Sequence, residues 1–281
     1  MISYEEFQQK FPLKETKIQG ENFPYRHFQH STSSETIVLF PLDFGISDLN
    51  FSRCELLSLH FSVISMDYCK KFQTLDHLIP AIAELLAPFG KVWLVGSGVS
   101  SKIAQLLAQK HPEICKGLIL DSPCYLSKNI TQEAVADEFK DFKSMKKVLI
   151  ATALIPYAAI LKLLNLESGD TAVGSATPED IEVNGTFYEI LRKRFSKPNM
   201  IHLLNLSIAL CEFFPQNAQD YIYLEGRALL FLKKSEEETL NDHPLCGLLG
   251  AQLNTELDEN QFKCSKPCDQ YVEKVVEFIQ R

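Results

Sequence analysis

Gly96-Ser97-Gly98-Val99-Ser100 lies where an apolar run gives way to a helical pattern. That is the setting in which the spacing G-x-S-x-G presents a serine for nucleophilic attack. Such attack needs a hydroxyl at the apex of the turn, a histidine to take its proton and an acid to hold the histidine's tautomer. It also needs N–H donors for the developing oxyanion. Here the apex is Gly98 and the fifth position is Ser100. Glycine has no atom to attack with. Ser97 and Ser100 are the candidates for a relocated nucleophile, but each sits one or two residues from the apex. A displacement of about 1 Å already costs on the order of 100-fold in rate. Their structural roles are simpler: Ser97 is small enough for a tight turn, and Ser100 or Ser101 can cap the helix that follows.

The remaining parts are tested in the order Ser, acid, His that this arrangement takes. The acid should follow a strand at Tyr221–Leu224, at or near Ala228, which cannot serve. Glu225 is the nearby carboxylate, and it fits a local ion pair with Arg227 or a solvated position. The histidine should follow the last strand, yet Ala251 to Arg281 holds none. His243 precedes that strand, and His60, His77 and His111 lie in or beside helical stretches. The loop after the early buried strand reads Phe40-Pro41-Leu42-Asp43-Phe44-Gly45, and Asp43 there would repel an oxyanion. The Val99 N–H can still point into the site. Four independent requirements fail together, so no residue is assigned a catalytic role.

Other chemistries fare no better. Gly96-Ser97-Gly98-Val99-Ser100-Ser101 follows a strand as the dinucleotide fingerprint does, and Asp121 falls near the distance of the ribose-binding acid. But two strands and a helix precede it, where that fingerprint belongs to the first βα turn. No cofactor is expected. Cys264 and Cys268 form one pair with Cys246 upstream, short of the two pairs usual for zinc, so no metal is expected. Cys54, Cys69, Cys115 and Cys211 lie in apolar patterns and read as reduced, buried thiols. A net charge of −8 argues against a nucleic-acid partner and against simple docking on anionic lipid. The N-terminus MISYEEFQQK lacks the basic-then-apolar pattern of a signal peptide, so a cytoplasmic protein is expected.

The elements around the turn follow from periodicity. Lys14–Ile18 and Tyr25–His30 flank Gly20-Glu21-Asn22 as a hairpin. Thr36–Phe40, Val63–Asp67, Val92–Val95 and Leu118–Leu120 are apolar runs of strand length, expected to pair in parallel with both faces buried. Leu75, Leu78, Ile79, Ile82, Leu85 and Leu86 make a helical stripe. Strand signals then vanish from Pro123 to Pro215, where Gln132–Phe139, Met145–Leu166, Pro178–Arg194 and Asn199–Phe214 read as helices. Tyr221–Leu224 and Ala251–Leu253 resume the sheet, and Val272, Val275, Val276 and Ile279 mark a terminal helix. The expected architecture is a single α/β domain over 1–281, a mostly parallel sheet flanked by helices, with a helical cap inserted at 124–218. Within it Val148–Leu164 is almost wholly apolar, too short to span a membrane comfortably. It is expected to bury its apolar face on the core, with at most a membrane-surface role near Lys143, Lys146 and Lys147.

Several segments in this order are similar to those of maspardin-like members of the α/β-hydrolase superfamily. They are FPLKETKI at the N-terminus, Ser65-Met66-Asp67-Tyr68, Asp76-His77-Leu78 and Lys91-Val92-Trp93-Leu94-Val95-Gly96. Leu107-Ala108-Gln109-Lys110, Leu118-Ile119-Leu120-Asp121-Ser122, Leu154-Ile155-Pro156 and Leu166-Glu167-Ser168-Gly169 continue it. The resemblance implies an α/β-hydrolase fold and a non-catalytic adaptor in intracellular signalling or endosomal trafficking. It implies a protein partner and a cytoplasmic site, with peripheral contact at endosomal or trans-Golgi membranes. The family keeps a serine at its elbow and this chain has Gly98, a step further from catalysis. The alternatives are a serine esterase or lipase using Ser97 or Ser100, and a carrier of an apolar small molecule under the cap.

Overall fold

The computed structural model describes residues 3–42, 45–123, 143–144, 146–159, 186–187, 189–194, 196–213, 217–232, 244–257, 261 and 268–281. Strands β1 (Lys14–Ile18) and β2 (Glu21–Phe28) form a hairpin across Gln19-Gly20. Both turn residues have positive φ, 49° and 84°, which suits the right-handed twist of the paired strands. Then come β3 (Thr36–Leu39), β4 (Ser62–Met66), β5 (Val92–Ser97), β6 (Cys115–Asp121), β7 (Ala228–Phe231) and β8 (Ala251–Asn254). They form one eight-stranded sheet in the order β1-β2-β4-β3-β5-β6-β7-β8. β2 meets β4 antiparallel, and every pairing from β4 through β8 is parallel.

Alternation along the central strands sorts the core into two layers. Val38, Ile64, Leu94, Leu118 and Leu120 face α3 (Leu75–Leu86) and α4 (Val99–Lys110). Ile37, Leu39, Val63, Trp93, Val95 and Ile119 face the other way. There they meet α1 (Tyr4–Lys10), α2 (Phe51–Leu57) and α7 (Asp269–Ile279). Leu206 and Leu210 of α5 (Lys197–Phe213) join the first layer, with Leu245 and Leu249 of α6 (Pro244–Leu249). Leu78, Ile79, Ile82 and Leu86 are completely buried, each stabilising by roughly 1.5–3 kcal/mol. Helix α1 is an element that composition alone does not suggest. Ser3 and Glu6 form a reciprocal capping box at its start, and Tyr4 and Phe7 are buried beneath it.

Two expectations are corrected. The strand expected at Tyr221–Leu224 is not one; Tyr223 is exposed and the strand lies later, at Ala228–Phe231. Leu224 donates its N–H to the Leu249 carbonyl, and Glu225 (φ 49°) with Gly226 (φ 79°) turns the chain. The next four residues, Ala-Leu-Leu-Phe, are all buried. A strand with parallel neighbours on both sides selects such an unbroken apolar run, whereas Tyr-Ile-Tyr-Leu carries a polar tip at every second residue. The apolar segment after Lys147 is helical over 146–154 but does not bury its hydrophobic side chains on the core as expected. Ile150 is 62% and Leu154 79% exposed, while Thr152 is buried. Residues 160–185 and the helix expected at Gln132–Phe139 lie outside the described residues. No described helix is long and apolar enough to cross a membrane.

Buried ion pairs fasten the carboxyl ends of the strands. Arg53 on α2 reaches Asp121 at the end of β6 at 2.7 Å, with both side chains at most 3% exposed. The guanidinium also lies 4.3 Å from the ring centre of Tyr271 on α7, so one cation ties two helices to a central strand. Replacing Arg53 with Met leaves Asp121 as an uncompensated buried carboxylate and is expected to cost about 3–5 kcal/mol. The pair replacement Arg53→Met with Asp121→Leu is expected to recover most of that loss. Urea titrations of both variants check this, and a double variant as weak as the single one would refute it.

Candidate functional site

β5, the turn at Gly98 and α4 build the candidate site at the carboxyl edge of the sheet. Gly98 has φ 53° and ψ −119°, a left-handed conformation that costs any residue with a Cβ of order 1–3 kcal/mol. A Cβ on Gly96 would lie 2.5 Å from the Ser100 carbonyl oxygen and 2.8 Å from the Ser101 Cα. α4 therefore packs backbone against backbone on β5, and only glycine fits at Gly96. The sharp strand-to-helix turn anticipated from the sequence is present in full, and its apex carries no side chain. Val99 opens α4, so its N–H is among the donors a helix leaves without an intrahelical acceptor.

The two serines do not substitute at the apex. Ser100 is 2% exposed. It donates its hydroxyl to the Pro41 carbonyl and lies 2.6 Å from the Tyr68 hydroxyl. With its single proton committed to Pro41, Ser100 receives the Tyr68 proton. Ser101 donates to the Gly98 carbonyl at 2.6 Å. The capping expected of Ser100 or Ser101 is thus corrected: Gly98 occupies the N-cap position without a side-chain cap, and both hydroxyls bond carbonyls instead. Ser97 ends β5, where its backbone is in register with Asp121 on β6. Pro41, the second residue after β3, has no N–H to lend to an oxyanion.

The shift of β7 also moves the acid position. Ala228 opens the strand and does not follow it, so the placement near Ala228 is corrected, and residues 233–243 beyond it bear on the acid only as sequence. Those residues lie outside the described ones, as do His243 and Asp43. Glu225 is solvent-exposed. Arg227 instead donates to the carbonyls of Leu224 and Lys116 at 3.1 and 3.0 Å. Asp121, weighed above as a ribose-binding acid, is buried against Arg53. Its burial pushes the carboxyl above the usual range, with Arg53 opposing. His111 contacts Glu113 at 3.1 Å on the surface. Among the described residues no group of His, Cys, Asp and Glu could hold a metal ion, and Cys264 lies outside them. Cys54, Cys69 and Cys115 are buried as expected, and so is Cys268, whereas Cys211, expected with them, is only half-buried; burial pushes Cys54 and Cys115 up to about 12.

A histidine that sequence reasoning passed over stands beside Tyr68, the residue bonded to Ser100. His202 on α5 lines a small cleft with Gly45, Tyr68, Asn199 and Leu203, with room for roughly one water molecule. It is 6% exposed, and neither ring nitrogen has a hydrogen-bond partner among the described residues. Burial, with the nearby Lys70 charge adding to it, lowers its pKa to about 4. The signal was present in the sequence. His202, Leu206 and Leu210 recur every fourth residue, and all three are buried, so this histidine shares the stripe that faces the core.

A second polar cluster holds the segment before α5 to the body. Asp48, fully buried, accepts from Arg26 at 2.9 Å and from Tyr4, and its other oxygen accepts from Arg194 Nε at 3.0 Å. Arg194 also donates to Asp67 at 2.6 Å. Asp67 accepts in turn from the backbone N–H and hydroxyl of Ser47, both at 2.7 Å. Burial raises the Asp67 carboxyl, with Arg194 and Ser47 opposing. Burial and the Asp48 carboxylate push the Tyr4 phenol well above its ordinary value.

No family model matches the chain, and no curated protein matches it. Solved structures do. A hydrolase from Pseudomonas aeruginosa PA01 superposes with a TM-score of 0.68 at 14% identity, covering 96% of this chain and 99% of that one. An epoxide hydrolase from Vigna radiata gives 0.66 at 12% identity over 97% and 98% of the two chains. A haloalkane dehalogenase from Bradyrhizobium elkanii gives 0.63 at 12% identity over 96% of each.

The unfolded form of His202, near 6.5, takes up its proton before the folded form, near 4. Its contribution to stability is therefore present above about pH 6.5 and lost as the pH falls toward 4. Urea midpoints at pH 7 and pH 4.5 should separate more for the native chain than for His202→Leu; equal separations would refute the assignment. The mostly parallel eight-stranded sheet, the turn after β5 and these superpositions together give the chain an α/β-hydrolase fold.

Proposed function

We propose that this chain is a non-acylating α/β-hydrolase-fold protein that works by binding, an adaptor or scaffold for a protein partner. The observation that carries the reading is Gly98, which holds the elbow's backbone conformation with no nucleophile on it. A residue with a side chain there bears strain that a hydrolase uses to expose its reactive atom. Glycine relieves that strain, so the turn persists as architecture. Two further facts support the reading: Ser100 is buried with its proton engaged, and no histidine follows Ala251. The resemblance to maspardin-like proteins supports an adaptor role, with cytoplasmic residence and peripheral contact at endosomal or trans-Golgi membranes. The rim near Ile150 and Leu154 offers exposed apolar side chains for a partner.

A second reading, a serine esterase or lipase with Ser97 or Ser100 as nucleophile, is favoured by the superposed hydrolases. A single experiment separates the two. The purified chain is treated with a fluorophosphonate probe and assayed with p-nitrophenyl acetate beside Ser97→Ala and Ser100→Ala. The binding reading expects no labelling and turnover equal in all three proteins. Labelling abolished by either alanine would establish the hydrolase reading. Gly98→Ser is expected to cost about 1–3 kcal/mol from the strained φ and to gain less than about 10-fold in turnover, since a serine without its base is a poor nucleophile.

A further inference from the structure

We propose that the cleft between α5 and the loops after β3 and β4 is a binding site for the hydroxyl group of a small uncharged alcohol, recognised by His202. The inference goes beyond the adaptor reading and stands whether or not a protein partner exists. It begins from an unmet requirement. An imidazole that is 94% out of solvent and bonded by neither nitrogen among the described residues forgoes hydrogen bonds that water would supply, a cost that buried polar groups seldom bear without a ligand or an ordered water. The other polar side chains that line the cleft among the described residues are engaged. Tyr68 is bonded to Ser100 at 2.6 Å. Asn199 accepts from Ser196 Oγ at 3.1 Å and donates to the Arg194 carbonyl at 3.3 Å.

Charge and size then select the ligand class. A neutral imidazole offers one N–H donor and one bare acceptor nitrogen. A hydroxyl satisfies whichever nitrogen faces the cleft, because it both donates and accepts. A carbonyl or an ether serves only the donor, and an ammonium only the acceptor, beside the positive charge of Lys70 that already bears on His202. A carboxylate would favour an imidazolium, which the burial of this ring resists. The cleft has room for roughly one water-sized group, the size of a hydroxyl. Leu203, together with the bare backbone of Gly45, at φ +71° and 3.8 Å from a Leu203 methyl by its absent Cβ, leaves an apolar wall for the attached carbon. The imidazole is too weak a base at neutral pH to activate the hydroxyl, so the site binds and does not transfer.

The test uses the full chain and 1-propanol, with 1-fluoropropane and sodium propionate as matched probes. Amide NMR shifts at Gly45, Asn199 and Leu203 are followed with the ¹⁵N shifts of the His202 ring. Propanol is expected to move both sets saturably, with half-saturation on the order of millimolar as so small a ligand allows. The His202 ring signals should move in the unmodified protein. His202→Phe should weaken the amide response at least ten-fold. If that variant fails to fold, the ring ¹⁵N shifts of the native chain decide alone. Equal responses to propanol and fluoropropane would reduce the site to an apolar crevice and overturn the proposal. Preferential binding of propionate with protonation of the ring would overturn it in favour of a carboxylate site. Ring signals unmoved by propanol would leave only a resident water and overturn it as well.

Discussion

The constraint on which the candidate site depends is steric, at Gly96. Helix α4 lies so close on β5 that a single Cβ would collide with the backbone of Ser100 and Ser101. That approach forces the reversal at Gly98 into its left-handed conformation. It also drives Ser100 inward, where its hydroxyl grips the Pro41 carbonyl and the Tyr68 phenol. Through those bonds the helix orients the loop after β3 and the start of the loop after β4. The cleft under His202 is bounded by the same loops. One contact between two backbone segments thus bears on both loops that Ser100 touches.

The same contact separates architecture from chemistry. A hydrolase turn has two duties, to connect β5 to α4 and to expose a reactive atom. Gly98 makes the connection and carries no side chain. The superposed hydrolases at 12–14% identity share the overall fold, and likeness at that level speaks to fold alone. Where hydroxyls remain, at Ser100 and Ser101, they are consumed by carbonyls within the turn. By contrast, the His202 imidazole and the buried Ser122 hydroxyl have no hydrogen-bond partner among the described residues.

The sheet was largely legible because parallel strands covered on both faces write themselves as short apolar runs. Val92–Val95 and Leu118–Leu120 carry little else, and glycine punctuates the turn between them. Tyr221–Leu224 misled because aromatic and β-branched residues favour strands in general. What decided β7 was coverage on both sides, which Ala228–Phe231 satisfies without any β-branched residue. Helix α1 escaped because its buried face is only Tyr4 and Phe7, and its capping box at Ser3 and Glu6 passes for ordinary polar sequence. His202 escaped for a different reason. A proton relay needs its histidine after the last strand, whereas this one belongs to a helix that tertiary packing brings against Tyr68. The exposure of Ile150 and Leu154 was equally invisible, since an apolar helix reads the same whichever side is covered.

Arg194 carries one more implication. Its guanidinium stands between Asp48 and Asp67, two carboxylates anchored in different loops of the body. Lifting residues 189–194 away would leave Asp48 with Arg26 and Tyr4, and Asp67 with Ser47 alone. A half-buried acid stripped of its cation binds hydrogen ions more readily. Separation of this segment from the body is therefore accompanied by proton uptake, and acidity of the surroundings loosens the hold that Arg194 keeps.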